Sequence, residues 1–147
     1  MVPERIEREI VVAAPVERVW AALTEADELR QWFGDAAEVD LRPGGAMVNH
    51  WEGHGNVLGV VEKVEPPHFF SYRWARPIGA EPRDGNTTLV EFTLTPERDG
   101  TRLRVVESGF QGLDAPERDR ATYAGENTEG WKMELDELRA YLERTAA

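Results

Sequence analysis

The N-terminal part of the chain alternates apolar and charged residues and then changes to a helical spacing. Residues 4–13 place apolar side chains between charged ones, which is typical of a strand with one face in water. Pro15 ends that strand, because proline is favoured in the first turn of a helix. The apolar residues of the short amphipathic helix that follows are Val16, Val19, Trp20 and Leu23. Thr24 is placed to cap a second short helix, which we expect to end at Gly34.

The middle of the chain has a period of two residues, interrupted by turns. Turns rich in glycine and proline at 43–45, 66–67 and 99–100 separate runs of alternating or β-branched residues. These runs predict six further strands, over 37–41, 47–51, 56–64, 68–75, 87–95 and 101–107. Because no long helix separates one strand from the next, we expect a mainly antiparallel sheet.

A helical period covers the C-terminal part of the chain from about residue 121. Its apolar stripe is formed by Trp131, Leu135, Leu138 and Leu142. Charged residues, among them Glu134, are assigned to the rest of the helix surface. Gly125 and Gly130 weaken the first half, since each glycine costs about 1 kcal/mol relative to alanine in a helix. The pattern predicts a long terminal helix with one buried face.

Composition narrows the classes of protein to consider. A length of 147 residues with 41% hydrophobic residues fits a single domain over 1–147 with a sizeable core. The 17 basic and 28 acidic residues give a net charge of −11, which disfavours nucleic acid and membranes as partners. There is no cysteine, so disulfides and thiol chemistry are excluded. The first residues lack the basic and apolar regions of a secretion signal, so we expect a cytoplasmic protein.

Several stretches of the chain resemble one known superfamily in identity and order. They are 14–24, Leu29, Trp32-Phe33-Gly34, 40–45, 64–67, 107–110, and Gly130-Trp131 leading to Leu138 and 141–143. These stretches are similar to the START-like or SRPBCC superfamily, in the branch named for the activator of Hsp90 ATPase. The resemblance implies an α+β helix-grip fold. In that fold a curved, mainly antiparallel sheet of about seven strands wraps around a long C-terminal helix, with two short helices after the first strand. The resemblance also implies a cavity between sheet and helix.

The inward-facing residues around that cavity are the candidate binding site. Alternation along 68–75 places Phe70, Tyr72 and Trp74 on one apolar face. With residues of neighbouring elements, the predicted ligand-binding set is Trp51, Phe70, Tyr72, Trp74, Phe92, Glu107, Phe110, Trp131 and Leu135. Three other aromatic residues, Trp20, Trp32 and Phe33, are assigned to core packing. A concave surface rich in aromatic rings suits an apolar or aromatic small molecule, bound without a cofactor.

Glu107 is the one charged residue of this set, and it has two interpretations. Alternation along 103–107 points its carboxylate inward, where an ionised group is costly unless it is paired or hydrogen-bonded. A buried carboxylate can act as a general acid or base, which would make Glu107 catalytic, with His50 or Tyr72 assisting. In the other interpretation Glu107 lies at the rim and binds a backbone amide or a neighbour such as Arg104.

The end of the second predicted hairpin strand carries three residues of types that bind metals. His50, Glu52 and His54 occupy alternate positions, which on a continuous strand would place three metal ligands on one face. Gly53 and Gly55 indicate that the strand ends there, which would scatter the side chains. We therefore predict no metal.

Three functions stay open from the sequence. The leading hypothesis is a small binding protein with a cavity for an apolar or aromatic molecule between the sheet and the terminal helix. The first alternative is a cyclase- or aromatase-like enzyme that uses Glu107. The second, implied only by the name of the family branch, is an Hsp90-type co-chaperone. The expected partner is thus a small molecule, a chaperone partner is less favoured, and either a monomer or a homodimer is expected.

Overall fold

The computed structural model describes residues 2–145, so both ends of the predicted 1–147 domain lie outside it. The strands are β1 Arg5–Val12, β2 Ala36–Val39, β3 Ala46–Trp51, β4 Gly55–Glu65, β5 Phe69–Ala75, β6 Thr87–Glu97 and β7 Gly100–Ser108. The helices are α1 Val16–Thr24, α2 Ala26–Leu29 and α3 Glu117–Thr145, with a 3-10 turn at Phe110–Gly112. The seven predicted strands are thus present close to their expected bounds.

All the strands belong to one antiparallel sheet. Its order is β1-β7-β6-β5-β4-β3-β2, so that successive strands from β2 to β7 are neighbours and β1 pairs with β7. In that last pair Ile10 lies opposite Leu103. The apolar stripe of α3 packs on the inner face of the sheet, where Leu135 and Leu138 share one buried core with Phe92. This arrangement confirms the expected α+β helix-grip architecture.

The junction between the two short helices differs from the prediction. Thr24 is the last residue of α1, and its hydroxyl donates to the carbonyl of Trp20 at 2.8 Å instead of capping α2. Glu25 is the extended residue between the helices, and it makes no side-chain cap. α2 ends at Leu29, well before Gly34. The predicted cap and the predicted length of this helix are wrong, because Thr24 bonds back to its own helix.

Gly34 lies where the chain after α2 passes very close to β3. Its φ is +82°, and a Cβ added there would lie 2.7 Å from the carbonyl oxygen of His50. It would also lie 3.2 Å from the ring of Trp51. Only glycine combines this left-handed backbone with so close an approach. The approach sets Phe33 beside Trp51, with ring centroids 5.0 Å apart.

α3 is longer than its sequence pattern indicated. It begins at Glu117, directly after Pro116, and not near residue 121. Gly125 and Gly130 lie inside it without ending it, since packing of the buried stripe outweighs their low helix propensity. Within residues 2–145, no helix has the length and apolar character needed to cross a membrane.

Candidate ligand-binding site

Four aromatic side chains from separate segments meet at one end of the inner sheet face. We call them the aromatic wall: Phe33 after α2, Trp51 at the end of β3, Trp74 in β5 and Trp131 in α3. The rings of Phe33, Trp74 and Trp131 are nearly parallel, with interplanar angles of 13° to 26° and centroids 5.4 to 5.9 Å apart. Trp51 meets Phe33 edge-on. The wall therefore uses both geometries that aromatic pairs prefer.

A cavity of about 280 Å³ lies against the aromatic wall. Its inner part is buried, since Val57 is 4% exposed and Trp131 is 3% exposed, whereas Ile78 at its rim is 41% exposed. Besides the wall, its lining residues are His54, Val57, Arg76, Ile78, Glu126, Asn127, Gly130 and Glu134. The volume lies just below the usual range for drug-sized sites, which is space for about two fused rings.

The cavity contains only part of the predicted site. Trp51, Trp74 and Trp131 line it. The predicted residues that lie instead in the packed core are Phe70, Tyr72, Phe92 and Leu135. Phe110 is in a second buried cluster. Phe33, which the sequence assigned to packing, lines the cavity. The reason is that the buried stripe of α3 shares one packed core with Phe70, Tyr72 and Phe92, so these rings do not line the cavity.

Glu107 lies behind the aromatic wall and is 0% exposed. Its Oε1 accepts a hydrogen bond from the indole N–H of Trp131 at 2.9 Å. Its Oε2 accepts from the indole N–H of Trp74 at 2.8 Å and from the hydroxyl of Thr88 at 2.5 Å. The amide of Asn127 donates to both oxygens, at 2.9 and 3.0 Å. Neutral donors thus replace the water that a buried carboxylate loses. The same hydrogen bonds fix the orientation of both indole rings.

Arg76 is connected to this carboxylate through Asn127. Nη2 of Arg76 donates to the amide oxygen of Asn127 at 2.7 Å, and the amide nitrogen of Asn127 donates to Glu107. The guanidinium also lies over the ring of Trp74, 5.9 Å from its centroid, and over Tyr123 at 5.7 Å. Because the amide is polarised by the cation on one side, its bond to the carboxylate on the other is strengthened.

The rim interpretation of Glu107 is wrong. The side chain is fully buried, and Arg104 pairs with Glu7 instead. The catalytic interpretation requires a free lone pair that faces the cavity, yet the two oxygens of Glu107 already accept five hydrogen bonds from described residues. The ring of His50, expected to assist, is bonded through Nδ1 to Asn56 at 2.7 Å. The geometry therefore favours Glu107 as the residue that holds the wall.

The alternating residues considered for a metal do not share a strand. β3 ends at Trp51, so Glu52 and His54 lie in the turn that follows. The backbone N–H of Glu52 donates to Asp35 at 2.6 Å, and His54 lies at the cavity. Across residues 2–145, the acidic and histidine side chains form no group of three suited to a metal ion.

Glu134 is a candidate residue that was not predicted from the sequence. It lies one helical turn after Trp131 and lines the cavity, and its Oε2 is buried without a hydrogen-bond partner among residues 2–145. Burial raises the pKa of Glu134 to about 7, with the charges of Glu137 and Asp35 acting in the same direction and the Trp51 indole opposing them. Its spacing from Trp131 was the available signal, since residues three apart on a helix share a face.

The raised pKa of Glu134 predicts that the protein becomes less stable as pH rises. The folded state holds the proton up to about pH 7, whereas the ordinary value is 4.5, so the folded state binds more protons between these values. The contribution of Glu134 to the free energy of unfolding is therefore expected to fall from about pH 4.5 to pH 7. Because the side chain is partly exposed, we expect a loss of about 1–2 kcal/mol, measured by urea unfolding at pH 5 and pH 8.

The variant Glu134→Gln isolates this contribution, because glutamine cannot ionise. It should be more stable than the wild type at pH 8 and should lack this part of the pH dependence. Glu129→Gln changes an exposed glutamate of the same helix and is the matched control. An identical pH dependence in Glu134→Gln and in the wild type would show that the carboxyl ionises normally.

The chain is similar in sequence and in fold to known proteins. The family model described as Activator of Hsp90 ATPase homolog 1-like protein matches residues 13–143. The structure of protein MLL2253 from Mesorhizobium loti has a TM-score of 0.80 and 26% identity, over 96% of this chain and 98% of that one. DynU16, a protein in the dynemicin biosynthetic locus, has a TM-score of 0.76 and 25% identity, over 96% of this chain and 48% of that one. The Aha1 dimer from Colwellia psychrerythraea has a TM-score of 0.77 and 22% identity, over 95% and 96%. No curated protein matches the chain.

Proposed function

The chain belongs to the activator of Hsp90 ATPase homolog 1-like family, and from this premise we propose that it binds one small aromatic molecule between its sheet and α3. The observation that carries the proposal is the cavity of about 280 Å³ along the aromatic wall. Large rings that only pack a core leave no space beside them, whereas these four border a void. A flat ligand in that void would remove apolar surface from water on both partners.

The aromatic wall is held in place before any ligand arrives. Glu107 fixes the indole rings of Trp74 and Trp131 through their N–H groups. Phe33 is held against both of them by ring stacking. Side chains that are already ordered lose little freedom on binding, so more of the interaction energy is available as affinity.

The relatives support a role toward small molecules. DynU16, at 25% identity, is a protein in the dynemicin biosynthetic locus. The net charge of −11 disfavours anionic ligands, since they would approach through a repulsive field. We therefore expect a neutral or cationic aromatic molecule that is bound without a cofactor.

We expect that the variant Gly130→Leu does not bind aromatic ligands. Gly130 lines the cavity, and a Cβ added there meets nothing within 4 Å, so a larger side chain would fill the proposed ligand space. The measurement is a thermal-shift screen of two-ring aromatic compounds. For the wild type, a ligand at 100 times its Kd should add about 2.7 kcal/mol of stability.

Gly125→Leu is the matched control for this variant. Gly125 also lies in α3 with nothing within 4 Å of an added Cβ, but it does not line the cavity. Both variants gain helix propensity, so both should be more stable than the wild type by roughly 1 kcal/mol. Only Gly130→Leu should lose binding. Equal binding by the two variants would place the ligand elsewhere, and a screen without any shift in the wild type would refute the proposed function.

A further inference from the structure

Two polar groups at the cavity are buried and have no hydrogen-bond partner among residues 2–145. They are Nε of Arg76, directly after β5, and Oε2 of Glu134, on α3. Buried polar atoms are nearly always hydrogen-bonded, so an unpartnered one on a residue that lines a cavity indicates where a ligand completes the set. The Nε of arginine is a donor, and a glutamate oxygen is an acceptor when ionised. The cavity therefore offers one group of each kind.

Arg76 and Glu134 are associated with positions about two turns apart on α3. The guanidinium of Arg76 is fixed beside Asn127 by the bond of 2.7 Å to its amide oxygen. Glu134 follows seven residues later in α3, which at 1.5 Å per residue separates the two positions by roughly 10 Å along the helix. Gly130 and Trp131 line the cavity between them.

The surrounding charges decide which acceptor suits Arg76. Glu107 is tied to it through Asn127, and Glu126 lines the cavity one residue before Asn127. A carboxylate on the ligand would be repelled by both of these glutamates, so a neutral carbonyl oxygen is the better acceptor. The ionised carboxylate of Glu134 accepts a hydrogen bond from a hydroxyl or an amine.

We propose that the ligand is a flat, two-ring aromatic molecule that carries a carbonyl group for Arg76 and a hydroxyl or amine for Glu134. This rests on the proposed function, because it specifies the chemistry of the molecule bound in the same cavity. The aromatic wall by itself would accept any aromatic hydrocarbon. The two polar groups add orientation and specificity, since an analogue that lacks one of them leaves a buried protein group unpaired.

Four probes with the same ring system test the proposal on the unmodified protein. They are naphthalene, 2-naphthol, 2-acetylnaphthalene and 6-acetyl-2-naphthol, whose affinities are measured by calorimetry or by tryptophan fluorescence at pH 8. We expect the highest affinity for 6-acetyl-2-naphthol, intermediate affinities for the two singly substituted probes and the lowest affinity for naphthalene. Each polar substituent should tighten binding about threefold to tenfold, as for a hydrogen bond to an otherwise unpaired group.

Two variants test which residue is responsible for the increase in affinity that each substituent gives. Glu134→Leu should abolish the gain that the hydroxyl gives and leave the affinity for naphthalene unchanged or higher. Arg76→Lys keeps the positive charge but lacks the Nε–H, so it should abolish the gain from the acetyl group. Circular dichroism establishes that each variant is folded, and the order of the four probes on the wild type tests the proposal even where a variant is not.

The outcomes separate this inference from the function on which it rests. Equal affinity of the wild type for all four probes would overturn the polar recognition and leave the aromatic site standing. If the hydroxyl and acetyl substituents still increase the affinity of both variants, the inference is also overturned. Groups other than Glu134 and Arg76 would then bind these substituents. Failure of every probe to bind would refute the proposed function and this inference together.

Discussion

Replacing Glu107 with glutamine is expected to lower the free energy of unfolding by about 2–4 kcal/mol. Glutamine has the same shape, so the variant leaves no cavity, but one acceptor oxygen becomes an N–H₂ donor. The indole N–H groups of Trp74 and Trp131 can only donate, and they bond to different oxygens of Glu107. One of them must therefore lose its acceptor while it stays buried. Chemical denaturation at neutral pH measures the loss.

The matched control for this variant is Glu38→Gln. Glu38 is an exposed glutamate of β2, where the same chemical change should alter stability by less than about 0.5 kcal/mol. Near-ultraviolet circular dichroism of Glu107→Gln should also change, since two indole rings lose their fixed orientation. A stability equal to that of Glu38→Gln would contradict the assignment of Glu107 as the residue that holds the aromatic wall.

Replacing Trp131 with alanine is expected to destabilise the protein by about 3–5 kcal/mol and to weaken aromatic ligands at least tenfold. The ring is 3% exposed and stacks on Phe33 at 5.4 Å and on Trp74 at 5.8 Å. Its removal also deprives Glu107 of the hydrogen bond of 2.9 Å. Denaturant unfolding and ligand titration on the same variant measure the two effects, with affinities taken for the folded fraction.

Trp20→Ala separates packing from ligand contact. Trp20 is a partly buried ring of α1 that meets Phe70 edge-on at 6.2 Å and does not line the cavity. Its loss should reduce stability without altering the affinity of the folded fraction. If Trp131→Ala behaves in the same way, Trp131 serves packing alone and the aromatic wall is not where ligands bind.

The orientation of Glu107 was predictable from the sequence, whereas its partners were not. Strand side chains alternate strictly, so the period along 103–107 was enough to point the carboxylate inward. Thr88, Trp74 and Asn127 reach it from β6, β5 and α3. Strand register and the position of the helix determine which donors contact this carboxylate. The local sequence pattern predicts neither of them.

The location of the cavity was less predictable than the fold. Alternation places Phe70 and Tyr72 on the inner face, but it does not tell how closely α3 approaches them. Phe33 reaches the cavity because Gly34 lets the chain pass against β3, and periodicity does not report such a backbone contact. Glu134 lies at the border of an apolar stripe, where a charged residue is normally assigned to solvent.

The position of α3 after all seven strands has a consequence for synthesis on the ribosome. When β7 has been synthesised, Leu135 and Leu138, which cover the inner face of the sheet, have not yet been translated. The nascent chain then presents Phe70, Tyr72 and Phe92 to water while the 29 residues of α3 are added. At roughly 5–20 residues per second this takes on the order of seconds. During that interval the aromatic face is exposed apolar surface, which in folding intermediates is generally prone to aggregation.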